Sequence, residues 1–301
     1  MKLKNVDLTK GKPKECAPGI EGDICSRDTI IGSMQKFVKQ ATGKVVNDPR
    51  EILSHMNKIL NCDRESCVLS HPDFVQTIGP DVAEKEKKER MRPKGPSDND
   101  NLLNNFNIDE VLNQYTKSNP VFHHIPYKMI DFAETEPSEF SRMYSRGMNQ
   151  EHIKSLLLSF MNPEMFVNSV KKCAGVVLNT DISSGRGKHW FALFFDFRNI
   201  NHITLEYFNS SGNMMTQEVH EFMIKFQKKV RKLLPQSECT IETASSIQLQ
   251  ESQTECGVYS LVYIILRLEG TSLESFRKMI HTNGFPDELM LKLRGHLFRK
   301  Y

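Results

Sequence analysis

The spacing of apolar positions divides the chain into an opening stretch of helices and a later stretch in which helices alternate with strands. Over 27–42, Ile30, Ile31, Met34, Phe37 and Val38 fall on one stripe of helical period, which predicts an amphipathic helix. Asp48, Pro49 and Glu51 then supply an N-cap, a proline at the helix start and an acidic first turn, predicting a second helix over 51–60. Residues 1–27 are polar, rich in Pro and Gly, and aperiodic. Over 83–101 a run of mixed charges gives way to Pro, Gly, Ser, Asp and Asn, leaving almost nothing to bury. That composition sets an expected boundary: a small helical accessory domain over 1–83, a charged linker over 84–101 and a larger domain over 102–301.

The larger domain opens with a short helix over 107–115 and an extended stretch over 121–132. A helix over 149–160, with Ile153, Leu156, Leu157 and Phe160 inward, precedes a short buried strand over 175–179. From Trp190 to Phe197 the chain is almost continuously apolar, as a central strand covered on both faces should be. A polar connector leads to a second strand over 203–209, and the two predict an antiparallel hairpin. The helix expected over 216–234 turns Val219, Phe222, Phe226 and Val230 inward, and a strand follows over 240–247. The stretch 248–269 begins polar, reaches Cys256-Gly257, and runs on through Val258, Leu261, Val262, Ile264, Ile265 and Leu266. This predicts a core helix with Cys256 at or near its first turn. Helices over 272–280 and 286–298 close the chain, which contains no internal repeat.

A hydrophobic content of 39% and a charged content of 26% fit a soluble globular protein. The net charge of +3 is too small to argue for nucleic acid, and the basic clusters over 225–232 and in the last residues read as solvated faces. No apolar run approaches a membrane span, and the first residues lack the apolar segment of a secretory signal. The seven cysteines are therefore expected as reduced thiols in a cytosol-like compartment. Cys62, Cys67 and His71, with Cys16 or Cys25 as a fourth, offer metal-binding residue types. Their spacing matches no standard zinc pattern, so they read as structural cysteines and no metal site is expected. His123, His124 and His152 have no partner pattern and are expected as surface or packing residues.

A cysteine at the start of a buried helix is either a small core residue or a nucleophile. Unpaired backbone N–H groups and the positive end of the helix dipole favour a thiolate there. Folding the hairpin about its midpoint near Asn199 sets His189 opposite Asn209, on one face, with Cβ atoms roughly 4.5–5.5 Å apart. An imidazole and an amide at that separation can hydrogen-bond. Thiol attack on a peptide carbonyl needs a base that later protonates the leaving amine, a partner that orients the base, and donors for the oxyanion. Cys256, His189, Asn209, and Gln250 or Gln253 are the residue types required.

The strings G-x-H-W, E-Y-F-N-S and Q-x5-C-G, in that order, resemble the clan of cysteine proteases that contains the adenovirus and SUMO proteases. Within it, CDRESCVLSHP at 62–72, VLNTDISSGRGKHW at 177–190, EYFNSSGN at 206–213 and SQTECGVYS at 252–260 are similar to the polyprotein-processing proteases of African swine fever virus and its giant-virus relatives. The likeness covers most of the chain from about residue 60 onward. It implies an α+β fold, with a papain-like, SUMO-protease-type core (a central mixed sheet flanked by helices) and an N-terminal helical arm domain. It implies His189 as general base, Asn209 as orienting residue and Cys256 as nucleophile. Gln250, six residues before the cysteine, matches the oxyanion glutamine of the clan, while Gln253 matches the asfarvirus-like string; Gln250 is preferred. Trp190 is either a core aromatic, facing away from His189, or a wall of the substrate groove. The implied activity is a cofactor-free cysteine endopeptidase that cuts viral structural polyproteins after paired glycines during virion maturation, in the host cytoplasm and the virion. The arm is expected to dock substrate or scaffold. A deconjugating protease for ubiquitin-like modifiers and an inactive binding module are the alternatives.

Overall fold

The computed structural model describes residues 15–96, 101–133, 163–167, 169–282 and 284–299, with the paired strands β1 (Lys2–Leu3) and β2 (Val6–Asp7) ahead of them. The helix expected over 149–160, and His152 within it, lie outside the described residues. Beyond the first residues, the chain divides into two compact units, 98–293 and 4–97 with 294–301.

The second of these units is built from α1 (Asp28–Thr42), α2 (Pro49–Ile59), α3 (Glu65–Val68), α4 (Pro72–Ile78) and α5 (Pro80–Arg90). The Asp48 carboxylate accepts the Arg50 N–H at 2.8 Å and caps α2, with Pro49 in the first turn as expected. Met34, Val38, Met56, Val68 and Phe74 pack in one core.

Two expectations need correction here. Residues 84–90, read as part of an exposed linker, are the body of α5. Their charge run is not simply solvated. Glu86 is buried and accepts the Arg27 N–H at 2.7 Å and its guanidinium at 2.5 Å, and polar partners of this kind leave no hydrophobic signal in a sequence. The seven cysteines are also not all reduced. Cys16 is bonded to Cys25 and Cys62 to Cys67, across Cα separations of 5.0 and 5.6 Å. Short loops bring these pairs within bonding reach whatever compartment is assumed. The Glu65 carboxylate joins the two loops by accepting the N–H groups of Cys25 (2.9 Å) and Ser26 (2.7 Å). His71 caps α4 through Nδ1, which accepts the Asp73 N–H. Among the described residues no His, Cys, Asp and Glu group is arranged to hold a metal ion, and no helix is long and apolar enough to cross a membrane.

Unit 98–293 begins with α6 (Asn105–Ser118), closed by reciprocal bonds between Asn104 and Asn107. Its sheet runs in the order β3 (Phe122–His124), β5 (Cys173–Asn179), β6 (Trp190–Asp196), β7 (His202–Phe208) and β8 (Glu238–Thr243), with β4 (Lys128–Met129) also paired to β5. β6 runs antiparallel to both β5 and β7, whereas β3 joins β5 and β8 joins β7 in parallel, so the sheet is mixed. A short helix, α7 (Glu164–Val167), precedes β5. The amphipathic α8 (Gln217–Leu233) covers one face, packing Val219, Phe222, Phe226 and Val230 on Phe191, Leu193, Phe195, Leu205 and Tyr207.

The other face is covered by α9 (Cys256–Leu268), every residue of which is buried. The helix lies so close to the sheet that a Cβ on Gly175 of β5 would meet Ile264 Cγ2 at 2.8 Å. Near its C-terminus Arg267 makes a two-pronged bond to Glu206 in β7, Nε to Oε2 at 2.7 Å and Nη2 to Oε1 at 2.6 Å. Tyr263 donates to the same carboxylate at 2.5 Å, Asp196 lies 3.2 Å from the guanidinium, and the Phe194 ring sits beneath it at 5.5 Å. Glu206 has no exposed surface. The helices α10 (Leu273–Thr282) and α11 (Asp287–Leu297) follow.

Arg267→Ala would strand the buried Glu206 charge, so a loss of about 3–5 kcal/mol is expected from denaturant unfolding. Replacing both partners, Glu206→Leu with Arg267→Met, should recover part of that loss. A single variant as stable as the parent would contradict this role for the pair.

Candidate active site

Three elements deliver the site. His189 immediately precedes β6, Asn209 immediately follows β7, and Cys256 is the first residue of α9. Ahead of His189, the Asn179 side chain accepts the N–H groups of Asp181 and Lys188, each at 2.9 Å, and His189 O accepts the Thr180 N–H at 2.8 Å. These bonds fix the approach to β6.

The hairpin register differs from the one expected. β6 and β7 pair Ala192 with Phe208 through to Asp196 with Thr204, so the next residue, Asn209, falls opposite Phe191 rather than His189. The midpoint is near residue 200, and the whole pairing has slipped by two. A slip of two preserves the face of every side chain, where a slip of one would have reversed it. His189 and Asn209 are therefore diagonal neighbours, a separation long side chains can bridge. The ring Nε2 lies 2.7 Å from Asn209 Oδ1.

Asn209 is buried, and its Oδ1 also accepts the backbone N–H of Ser211 at 3.0 Å and its hydroxyl at 2.8 Å. Its Nδ2 donates to the Tyr207 hydroxyl at 3.0 Å. The turn after Asn209 presses on the segment leading to Cys256. Ser210 O accepts the N–H groups of Leu249 and Gln250, and a Cβ on Gly212 (φ 73°) would lie 2.7 Å from Gln248 N. Gln250 is buried, with Oε1 accepting the Ser210 hydroxyl at 2.7 Å and Nε2 donating to Ser252 O at 2.7 Å. The same loop is held by the Asp287 carboxylate, which accepts from Glu251 N and Ser252 N, and by Tyr259, which donates to Leu249 O. Gln253, the other oxyanion candidate, is exposed.

Cys256 is buried, and burial is what chiefly raises its thiol pKa. The backbone N–H groups of Trp190, Gly257 and Cys256 itself pull the other way and do not prevail. The helix N-terminus is expected to favour a thiolate; instead desolvation disfavours the charged form more than those dipoles favour it, and the net shift is upward. Burial likewise holds His189 below the ordinary histidine value, opposed by its bond to Asn209. The backbone N–H of Trp190, the residue beside His189, is thus one of the groups that favour the ionised Cys256 sulfur.

The Trp190 side chain turns away from His189. Its indole N–H donates to Leu103 O at 2.9 Å and its ring meets Tyr127 edge-on at 6.1 Å. It is 8% exposed and, with Leu103, Tyr127, Asn179 and Gly187, lines a cleft of about 340 Å³, so it is both a packed aromatic and a wall. His124 is a packing residue, buried between Asn113 and Asp109 at 3.0 and 3.1 Å. His123 is pushed down to about 4, mainly by burial. Tyr207, Ser210 and Ser211, whose hydroxyls hold the two amides, were missed from the sequence. The alternation of Tyr207 with Asn209 along one strand face was the signal for the first of them.

No family model matches the chain. Over 300 residues it is 36% identical to a cysteine protease of African swine fever virus (isolate Tick/Malawi/Lil 20-1/1983), an alignment covering 95% of this chain and 96% of that protein. The counterpart from isolate Pig/Kenya/KEN-50/1950, also 36% identical over 300 residues with the same coverage, carries the name SUMO-1 cysteine protease. The crystal structure of the African swine fever virus pS273R protease superposes with a TM-score of 0.69 at 30% sequence identity, covering 97% of this chain and 98% of that one. With its α+β core and its buried cysteine at the head of α9, the chain belongs to the family of viral cysteine proteases represented by that African swine fever virus enzyme.

Proposed function

We propose that the chain is an endopeptidase that cuts viral structural polyproteins after paired glycines, with Cys256, His189 and Asn209 as its triad. The observation that carries this reading is the 2.7 Å bond between His189 Nε2 and Asn209 Oδ1, at the ends of the two strands on which the Cys256 helix packs. Oδ1 accepts a hydrogen bond from the Nε2–H, so the lone pair of the ring lies on Nδ1, where it can take the thiol proton. As that proton moves, sulfur bonds to the scissile carbonyl carbon and the C=O electron pair shifts to oxygen. The backbone N–H of Cys256 and the Gln250 amide stabilise the oxyanion. Gln250 suits this better than Gln253 because it is buried and held in place by Ser210. Collapse expels the amine, which takes the proton from Nδ1, and water then releases the thioester with His189 again as base.

The cleft beside Trp190, walled by Leu103, Tyr127 and Gly187, is the groove in which this reading seats the residues before the scissile bond. The helical unit serves to dock the polyprotein or its scaffold, and the work is done in the host cytoplasm and the virion. A second reading, deconjugation of a ubiquitin-like modifier, is favoured by the name of the Kenyan relative and would use the same residues. Purified viral polyprotein and modifier conjugates, offered side by side, separate the two.

On a peptide with a Gly-Gly-X site, Cys256→Ala should abolish turnover, and His189→Ala should cost about 10²–10⁴-fold. Asn209→Ala should cost less, about 10- to 100-fold, because it disturbs orientation and leaves the base in place. Unchanged turnover in Cys256→Ala would end the assignment. The pH profile has a definite sign. A protonated His189 cannot accept the thiol proton, and its pKa is held down, so the acid limb of kcat/KM should fall below pH 6.5. A limb above that value would contradict a buried, neutral base.

A further inference from the structure

The mechanism depends on which ring nitrogen of His189 bears the proton, and an amide is an ambiguous partner. Asn209 can present either end. With Oδ1 toward the ring, Nε2 carries the hydrogen and Nδ1 is the base. With the amide turned over, Nδ2 donates to Nε2, the hydrogen moves to Nδ1, and the ring has no lone pair for the thiol. A carboxylate at this position would present an acceptor either way.

Two neighbours of Asn209 remove the ambiguity. The Ser211 backbone N–H, 3.0 Å from Oδ1, can only donate. On the other side stands the Tyr207 hydroxyl, 3.0 Å from Nδ2. A hydroxyl normally serves either end, since it both donates and accepts. This one has a single hydrogen and lies 3.2 and 3.3 Å from the carbonyls of Asn213 and Met214, which can only accept. Its hydrogen is committed to them, and only a lone pair is left for Asn209. The Tyr207 ring is 2% exposed and packs against Phe191 at 5.5 Å, so the hydroxyl cannot swing away. Turning the amide over would set Nδ2 against the Ser211 N–H and Oδ1 against a hydroxyl lone pair, in a site too buried for water to compensate.

We propose that Tyr207 is a positioning residue: pinned by the carbonyls of Asn213 and Met214, it fixes the Asn209 amide and thereby holds His189 in the tautomer with Nδ1 unprotonated. This rests on the triad reading above and adds to it a residue that touches neither substrate nor thiol. Direction runs from the turn after β7 to Tyr207, from there to Asn209, and finally to the base.

The test is a double-mutant cycle on a Gly-Gly-X peptide. Tyr207→Phe keeps the ring and removes the hydroxyl, and should lower kcat about tenfold with KM little changed. In an Asn209→Asp background the carboxylate needs no orienting, so adding Tyr207→Phe should change kcat by less than about twofold. Equal losses in both backgrounds, or no loss in the Asn209 protein, would overturn the proposal. If Asn209→Ala itself were silent, the triad reading would fall first. A measurement on the unaltered protein stands even if a variant fails to fold. Imidazole ¹⁵N shifts of His189 above its pKa should report the hydrogen on Nε2, and a dominant Nδ1–H form would overturn the proposal directly.

Discussion

Cys256 sits at the head of a helix buried along its whole length, so the sulfur is placed by whatever lies against that helix. Gly175 lets α9 approach the sheet closely, and the Arg267–Glu206 bond fixes its far end to β7. The strand gripped by Arg267 is the one that ends in Asn209, and the strand beside it begins after His189. One helix packed on two adjacent strands thus sets Cys256, His189 and Asn209, the proposed nucleophile, base and orienting residue, in a single frame. The same burial has an electrostatic consequence. It raises the thiol and lowers the imidazole, because burial disfavours the charged form of both groups.

An asparagine as the orienting residue makes that frame more demanding. It adds no charge to the site, but it requires the amide to face the right way. Hydroxyl groups from the end of β7 and its turn supply the direction. Tyr207 and Ser211 act on Asn209, and Ser210 acts on Gln250. On the proposed reading the E-Y-F-N-S-S string is therefore more than the source of Asn209.

The core elements were legible because burial writes itself into composition. The apolar runs of β6 and α9, the stripe of α8 and the cap and proline of α2 each describe a surface to be covered. What was illegible depends on geometry that periodicity does not carry. The hairpin midpoint moved by one residue and the register by two, and the His189–Asn209 bond survived only because two is even. Residues 84–90 looked like a connector since Glu86 is held by polar partners, Arg27 above all, that lie far away in sequence. The disulfides were discounted on grounds of compartment, although Cys62 and Cys67 are near enough in the chain for a short loop to bring them together. The hydroxyls around Asn209 are ordinary residues whose role exists only in three dimensions.

The most direct test of a nucleophile at Cys256 is mass spectrometry after incubation with a Gly-Gly vinyl sulfone. The other free thiols provide an internal control, since burial pushes Cys173 up to about 12 and Cys239 up to about 11. One adduct per chain, located on Cys256 and lost in His189→Ala, is the predicted result. An unlabelled Cys256 in a protein that carries the probe on Cys173 or Cys239 would return it to the role of a buried core residue.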